Sequence, residues 1–134
     1  IENAMTNSPY IEQSVVIGDK KNFISALIVP SFEAVEIYLK EQGKSVAGNE
    51  GLIEDPDVIS LIKKEVSTAM EGFSNYERVK EFSLIPRLFT LENGELTPTL
   101  KVVRKVVLAN FADSVDRIYS RSKEGAEQME VELL

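Results

Sequence analysis

The segment 23–29, Phe-Ile-Ser-Ala-Leu-Ile-Val, constrains the fold more than any other part of the chain. In an extended strand, successive side chains point to opposite faces. Both faces of a strand here would be apolar, with Phe23, Leu27 and Val29 on one face and Ile24, Ala26 and Ile28 on the other. Such a strand has to lie centrally in its sheet or be covered on both sides. The sequence therefore predicts a layered fold around this strand, which Pro30 ends.

Two further segments supply neighbours for this strand. Ile11 to Ile17 alternates between apolar and polar residues, and the turn residues 18–22 follow it, so it is predicted to pair with the central strand as a β-hairpin. Val79 to Ile85 is a third candidate strand, closed by Pro86. The sequence thus predicts a small sheet of about three strands.

Helical patterns flank these strands. Ile1 to Met5 predicts a short helix, and Ser31 is a candidate N-cap for a second helix that stops at Gly43. Asp55 followed by Pro56 is a strong helix start, because aspartate caps the helix and proline at its first position loses no hydrogen bond. The apolar stripe of this helix consists of Val58, Ile62, Val66, Ala69, Met70 and Phe73.

The last helix is predicted to begin just after Thr97-Pro98-Thr99 and to be long and amphipathic. Its apolar stripe consists of Leu100, Val103, Val107, Phe111, Val115 and Ile118. Residues 44–54 are rich in Gly, Ser, Asn and Glu and predict a mobile loop. Residues 120–134 predict an acidic, flexible tail. Together these patterns predict one α+β domain, in which a small sheet with a β-hairpin is flanked by helices.

Composition excludes several function classes. Among 134 residues, 15 Lys and Arg oppose 22 Asp and Glu, a net charge of −7 that argues against a nucleic-acid partner. The sequence has no Cys and no His, which excludes disulfides, thiolate or imidazole metal ligands, and the Ser-His and Cys-His catalytic pairs. No apolar run approaches the roughly 20 residues that cross a bilayer. A cytoplasmic origin fits this composition, and the start at Ile1 suggests a fragment.

The densest functional pattern is segment 93–105, where a turn at Asn93-Gly94 leads through Thr97-Pro98-Thr99 to Lys101. Lys101 lies off the predicted apolar stripe and is free to reach into a neighbouring site. A lysine ammonium on its flexible stem suits the changing negative charge of phosphate or carboxylate oxygens. The alternative is that Lys101, Arg104 and Lys105 form a solvated helix face.

Several short blocks, in a fixed order along the chain, resemble one enzyme family. They are Ile1-Glu2-Asn3-Ala4, Ser8-Pro9-Tyr10-Ile11, Val15-Val16-Ile17-Gly18-Asp19, Ala26-Leu27-Ile28-Val29-Pro30, Glu92-Asn93-Gly94 and Thr97-Pro98-Thr99-Leu100-Lys101-Val102-Val103-Arg104-Lys105. The last block is similar to the final characteristic motif of the adenylate-forming, or AMP-binding, enzymes, in the form typical of long-chain fatty acyl-CoA synthetases. Leu100 stands where many relatives carry glycine, and the long-chain branch resembles this sequence at that position.

The resemblance implies that residues 1–119 are the small C-terminal domain, which rotates between an adenylate-forming and a thioester-forming pose. It implies that Lys101 is the adenylation lysine, bridging the substrate carboxylate and the α-phosphate. The N-terminal adenylation domain of the same chain would bind ATP, Mg²⁺ and the fatty acid, and coenzyme A would be the second substrate. The hinge lies upstream of Ile1 in this family, so the fragment alone is expected to be inactive. Peripheral membrane association of the full-length ligase stays open.

Two other functions remain open on the sequence alone. The chain could be a non-enzymatic α+β interaction module, or the adenylating fold could serve a different acceptor, as in luciferases or carrier-loading domains. Arg104 and Lys105 are candidates for contacts with coenzyme A phosphates or with the large domain, and the turn 18–21 is a weaker candidate for a phosphate contact. No residue is predicted to be a metal ligand.

Overall fold

The doubly apolar strand lies at the centre of the molecule. A computed structural model describes residues 2–18, 23–74 and 77–120. The strands are β1 (Ile11–Ile17), β2 (Ile24–Pro30) and β3 (Val79–Leu84). The helices are α1 (Glu2–Thr6), α2 (Phe32–Glu41), α3 (Asn49–Glu54), α4 (Pro56–Ala69), α5 (Arg104–Asn110) and α6 (112–120). The predicted turn residues 19–22 and the tail residues 121–134 lie outside the described residues.

The sheet has the order β1-β2-β3 and is mixed. β1 pairs antiparallel with β2, as Val15 opposite Leu27 shows, and β2 pairs parallel with β3, as Ala26 opposite Phe82 shows. A parallel neighbour needs a long crossover, which α2, α3 and α4 provide here. The α+β class, the strands and the central position of β2 are confirmed.

Each face of β2 packs into its own core. One face, with Ala26 and Ile28, contacts α1 to α4, and the other, with Leu27 and Val29, contacts α5, α6 and the segment after β3. The first core buries Met5, Ile11, Ala26, Ile28, Val35, Leu39, Leu52, Val58, Ile62, Val66, Met70 and Leu84. The second core buries Val15, Ile17, Leu27, Val29, Ile85, Phe89, Val107 and Ile118. The sheet is therefore the middle layer between two sets of helices.

The predicted helix starts and stops have mixed outcomes. The Asp55 carboxylate caps α4 by accepting hydrogen bonds from the amides of Asp57 and Val58, at 2.9 and 3.3 Å. Gly43 follows α2 with a φ of +78°, and its amide donates to the carbonyl of Lys40, as expected of a glycine stop. Ser31 lies at the N-cap of α2, but its side chain makes no capping hydrogen bond.

The prediction of a mobile loop over residues 44–54 is wrong in its second half. Residues 49–54 form α3, whose Leu52 is fully buried in the first core. The amide of Leu52 donates to the carbonyl of Gly48, which closes the first helical turn. The polar composition concealed this short helix, whose Leu52 and partly buried Ile53 pack against the first core.

The prediction of one long helix from residue 100 is also wrong. Helix α5 begins only at Arg104. The residues before it pair with residues 95–97 instead, as the 2.8 Å bond from the amide of Val103 to the carbonyl of Glu95 shows. Phe111, with a φ of −114° and ψ of 32°, separates α5 from α6. Leu100 is 71% exposed and so does not belong to the apolar stripe.

Candidate functional site

Lys101 lies on a small hairpin, which we call the lysine hairpin and define as residues 96–102. Leu96 and Val102 form an antiparallel bridge at its base. One step further out, the amide of Thr97 donates to the carbonyl of Lys101 at 2.8 Å. The lysine therefore belongs to a hydrogen-bonded hairpin that precedes α5, and not to the first turn of a helix as the sequence predicted.

The tip of the hairpin is held by one threonine. The Thr97 carbonyl accepts from the amide of Leu100 at 2.8 Å, which closes a four-residue turn. The Thr97 hydroxyl oxygen accepts from the amide of Lys101 at 3.1 Å and lies 3.0 Å from the hydroxyl of Thr99. Pro98 adds a fixed φ to this turn. The backbone that carries Lys101 is thus specified by residues within the motif.

Leu100 adopts a left-handed backbone conformation with a φ of +64°. A side chain makes this conformation costly, whereas glycine adopts it freely. The conformation explains physically why glycine suits the position before the lysine. Here a leucine occupies it with its side chain in solvent.

The Lys101 side chain is exposed. Within the described ranges, no carboxylate forms an ion pair with its ammonium group. Arg104 and Lys105, at the start of α5, are also exposed, so the motif places three exposed cations within five residues. The turn 19–22, the other candidate phosphate contact, lies outside the described residues.

The lysine hairpin grows out of a buried carboxylate, that of Glu95. Glu95 is fully buried, and each of its side-chain oxygens accepts a hydrogen bond from Arg87, at 2.7 and 2.9 Å. The amide of Thr90 donates to Oε1 and the Asn110 side-chain amide donates to Oε2, both at 3.0 Å. Four donor groups from three residues, on the segment after β3 and at the end of α5, therefore satisfy one carboxylate.

These contacts change the acidity of Glu95. The pKa of the Glu95 carboxyl is lowered from 4.5 to about 2, mainly by the paired Arg87 guanidinium and also by the bonds from Asn110 and Thr90, while burial opposes this shift. The same pairing raises the pKa of Arg87. Arg87 also lies over the ring of Phe111, 4.7 Å from the ring centroid. At neutral pH the pair is therefore ionised, and it ties the segment after β3 to the junction of α5 and α6.

The comparisons with known proteins bear on this arrangement. The family model described as "AMP-binding enzyme C-terminal domain" matches residues 1–123. The chain belongs to this family. It is 40% identical over 122 residues to the long-chain-fatty-acid–CoA ligase FadD15 of Mycobacterium tuberculosis, covering 90% of this chain and 20% of that protein. It is 31% identical over 126 residues to the human long-chain-fatty-acid–CoA ligase 1, covering 92% of this chain and 18% of that protein.

A solved structure agrees with the fold of this AMP-binding C-terminal domain. The adenylation–carrier didomain of a carboxylic acid reductase from Segniliparus rugosus, solved in complex with AMP, matches with a TM-score of 0.68 and 27% identity, over 92% of this chain and 16% of that chain. The present chain spans about a fifth of the length of the curated relatives named above.

Sequence reasoning missed Glu95 and Arg87 as part of this domain's site. The available signals were an arginine placed directly before the apolar residues 88–89 and an acidic residue between Gly94 and Leu96. Neither shows that the two side chains meet. Within 2–18, 23–74 and 77–120, the structure has no cluster of three acidic residues that would hold a metal ion, and no helix long and apolar enough to cross a membrane.

Proposed function

We propose that this chain is the C-terminal domain of an ATP-dependent long-chain fatty acid–CoA ligase and that Lys101 supplies the cation for acyl-adenylate formation. The observation that carries the proposal is the exposed Lys101 on a hydrogen-bonded hairpin, in a domain of this family. The names of the relatives at 40% and 31% identity support the choice of long-chain acids and of coenzyme A as the acceptor.

Charge explains why a lysine is needed at this place. When a carboxylate oxygen attacks the α-phosphorus of ATP, two anionic groups approach each other and pyrophosphate departs with further negative charge. An ammonium group next to both anions lowers the energy of that arrangement without taking or giving a proton. Because the hairpin backbone is fixed by Thr97, only the side chain of Lys101 has to become ordered at the site.

The other ligands are assigned to the large domain. ATP, Mg²⁺ and the fatty acid would bind mainly to the N-terminal adenylation domain of the same protein, as membership of this family implies. Magnesium would supply further neutralisation of the phosphates there. Thioester formation with coenzyme A would follow rotation of the present domain, which withdraws Lys101 from the adenylate.

The proposal is tested by fatty-acid-dependent exchange of pyrophosphate into ATP, measured on the full-length protein with acids of several chain lengths. We expect exchange with long-chain acids, and a loss on the order of 10²–10³-fold in Lys101→Ala, the range typical of removing one transition-state contact. Lys64→Ala is the matched control, because it removes an exposed lysine from α4, outside the motif, and it should retain most of the exchange. Absence of exchange with any carboxylic acid would instead support an interaction module.

A second candidate is an adenylating enzyme with a carrier-bound thiol as acceptor. It is favoured by the structural match to the carboxylic acid reductase didomain, which contains a carrier domain. The two functions differ after the adenylate is made. Consumption of coenzyme A by the full-length protein supports the ligase, whereas loading of a phosphopantetheinylated carrier domain without coenzyme A consumption supports the alternative.

A further inference from the structure

The buried carboxylate of Glu95 lies at the base of the lysine hairpin, and among the described residues it forms no ion pair with Lys101. We propose that Glu95 is a positioning residue for adenylate formation, fixing the base of the hairpin and thereby the direction in which Lys101 projects. This inference rests on the role proposed above for Lys101.

Glu95 joins the segment after β3 to the end of α5. Its side chain binds Arg87 and the amide of Thr90 on the segment after β3, and it binds Asn110 at the end of α5. Arg87 in turn lies over Phe111, where α5 ends. One carboxylate therefore holds together the segments on both sides of the lysine hairpin.

Backbone hydrogen bonds connect Glu95 to Lys101. The main chain of Glu95 is fixed as well, since its amide donates to the Thr90 carbonyl at 3.0 Å and its carbonyl accepts from Val103 at 2.8 Å. The next residues form the bridge between Leu96 and Val102. Beyond it comes the 2.8 Å bond from Thr97 to Lys101. The backbone bonds of the hairpin thus follow one another outward from the pair formed by Glu95 and Val103.

Thr97 shapes the turn at the tip of the hairpin, whereas the hairpin meets the rest of the described domain mainly near its base. Leu96 and Val102 are only partly buried, against the second core, and residues 98–101 are exposed. The tip therefore takes its orientation from its base. A buried ion pair is by itself weak evidence for net stabilisation, and a fixed geometry is an alternative reason for such a network.

The test uses Glu95→Gln in the full-length protein, with two half-reactions measured separately: formation of acyl-adenylate from ATP and palmitate, and transfer from preformed palmitoyl-adenylate to coenzyme A. We expect adenylate formation to fall by about 10- to 100-fold, as for a displaced catalytic group, mostly in kcat and less in the KM for ATP. Transfer should change by less than about twofold, because Lys101 is withdrawn in that step. Asp57→Asn, which breaks an exposed ion pair with Lys44 elsewhere, is the matched control and should leave both half-reactions unchanged.

A double variant separates positioning from a general effect on the fold. If Glu95 acts through Lys101, then Glu95→Gln should cause no further loss of adenylate formation in the Lys101→Ala background. Multiplied losses, or equal losses in both half-reactions, would overturn the inference. If Lys101→Ala itself forms adenylate normally, the role proposed for Lys101 fails, which is a different result from a failure of Glu95 alone.

A milder variant decides the question if Glu95→Gln does not yield folded protein. Asn110→Ser removes one hydrogen bond to Glu95 from an exposed residue and leaves the pair with Arg87 intact. A smaller loss, about twofold to tenfold and confined to adenylate formation, supports the inference. Unchanged adenylate formation in that variant contradicts it.

Discussion

Two paired carboxylates in this domain look alike but hold different kinds of structure. Asp55 pairs with Lys44 at 2.8 Å and Glu95 with Arg87 at 2.7 Å, and both carboxylates are largely withdrawn from solvent. Asp55 accepts backbone bonds from residues two and three positions later, so it caps one helix. Glu95 instead joins partners 5, 8 and 15 residues away. The first carboxylate caps a helix and pairs with a lysine 11 residues away, whereas the second joins the segment after β3 to the end of α5.

The two cations are similarly exposed, since the Lys44 side chain is 38% and the Arg87 side chain 41% accessible. The carboxylates differ in how much they lose: without Arg87, Glu95 (0% accessible) loses two hydrogen bonds, whereas without Lys44, Asp55 (7% accessible) loses one. Both carboxylates stay buried, but Asp55 keeps two backbone bonds at the N-terminus of α4, where the helix dipole favours a negative charge. The predictions below use this asymmetry, from the largest effect to the smallest.

Arg87→Met should be the most damaging of these changes. It leaves the Glu95 carboxylate buried with only the bonds from Thr90 and Asn110, and breaking a buried pair in this way costs about 3–5 kcal/mol of unfolding free energy. Urea unfolding of the 134-residue chain at pH 7 measures the loss. Lys44→Met is the matched control and should shift the midpoint far less. Equal shifts in the two variants would remove the distinction between the pairs.

Acid should weaken the Glu95 pair within a defined pH range. The folded-state pKa of about 2 lies below the ordinary value of 4.5, so the pair stabilises the fold fully above pH 4.5 and loses its contribution as the pH falls towards 2. A shift of this size corresponds to about 3 kcal/mol. The difference in unfolding free energy between wild type and Glu95→Gln should therefore shrink between pH 5 and pH 2.5. A constant difference across that range would contradict this account.

Asp55→Ala should have a smaller effect, although it removes the pair with Lys44 as well as the helix cap. It removes the cap of α4 and costs about 1 kcal/mol in urea unfolding. Ser31→Ala is its control, because the Ser31 side chain makes no capping bond, and it should change stability by less than about 0.5 kcal/mol. If both substitutions cost the same, the hydrogen bonds of Asp55 do not distinguish the two helix starts.

Leu100→Gly should have the smallest effect on stability. Glycine removes the energetic cost of the left-handed conformation, about 1–2 kcal/mol. It also increases the conformational entropy of the unfolded chain, which offsets much of that gain. Leu100→Val keeps the strain in a β-branched residue and should be the less stable of the two. Thermal unfolding of both variants gives the comparison. A large loss with glycine would mean that the exposed Leu100 side chain contributes contacts of its own.

The same contrast explains what sequence reasoning could reach. The Asp55 cap, the central strand 24–30 and the motif with Lys101 are each encoded by a short stretch of consecutive residues. The structure confirms the cap and the strand. The Glu95 site depends on residues 87, 90 and 110 meeting in space. No local pattern contains that information. The late start of α5 also depends on a contact that no local pattern shows. The backbone pairing of Val103 with Glu95 replaces the first helical turn that the apolar spacing predicts.

The role of Lys101 is the central claim and remains a prediction. It is tested most directly by measuring the two half-reactions of full-length Lys101→Ala in single turnovers. The account predicts that acyl-adenylate formation falls on the order of 10²–10³-fold while transfer from preformed acyl-adenylate to coenzyme A stays within about twofold of wild type. Equal loss in both half-reactions, or undiminished adenylate formation, would contradict it.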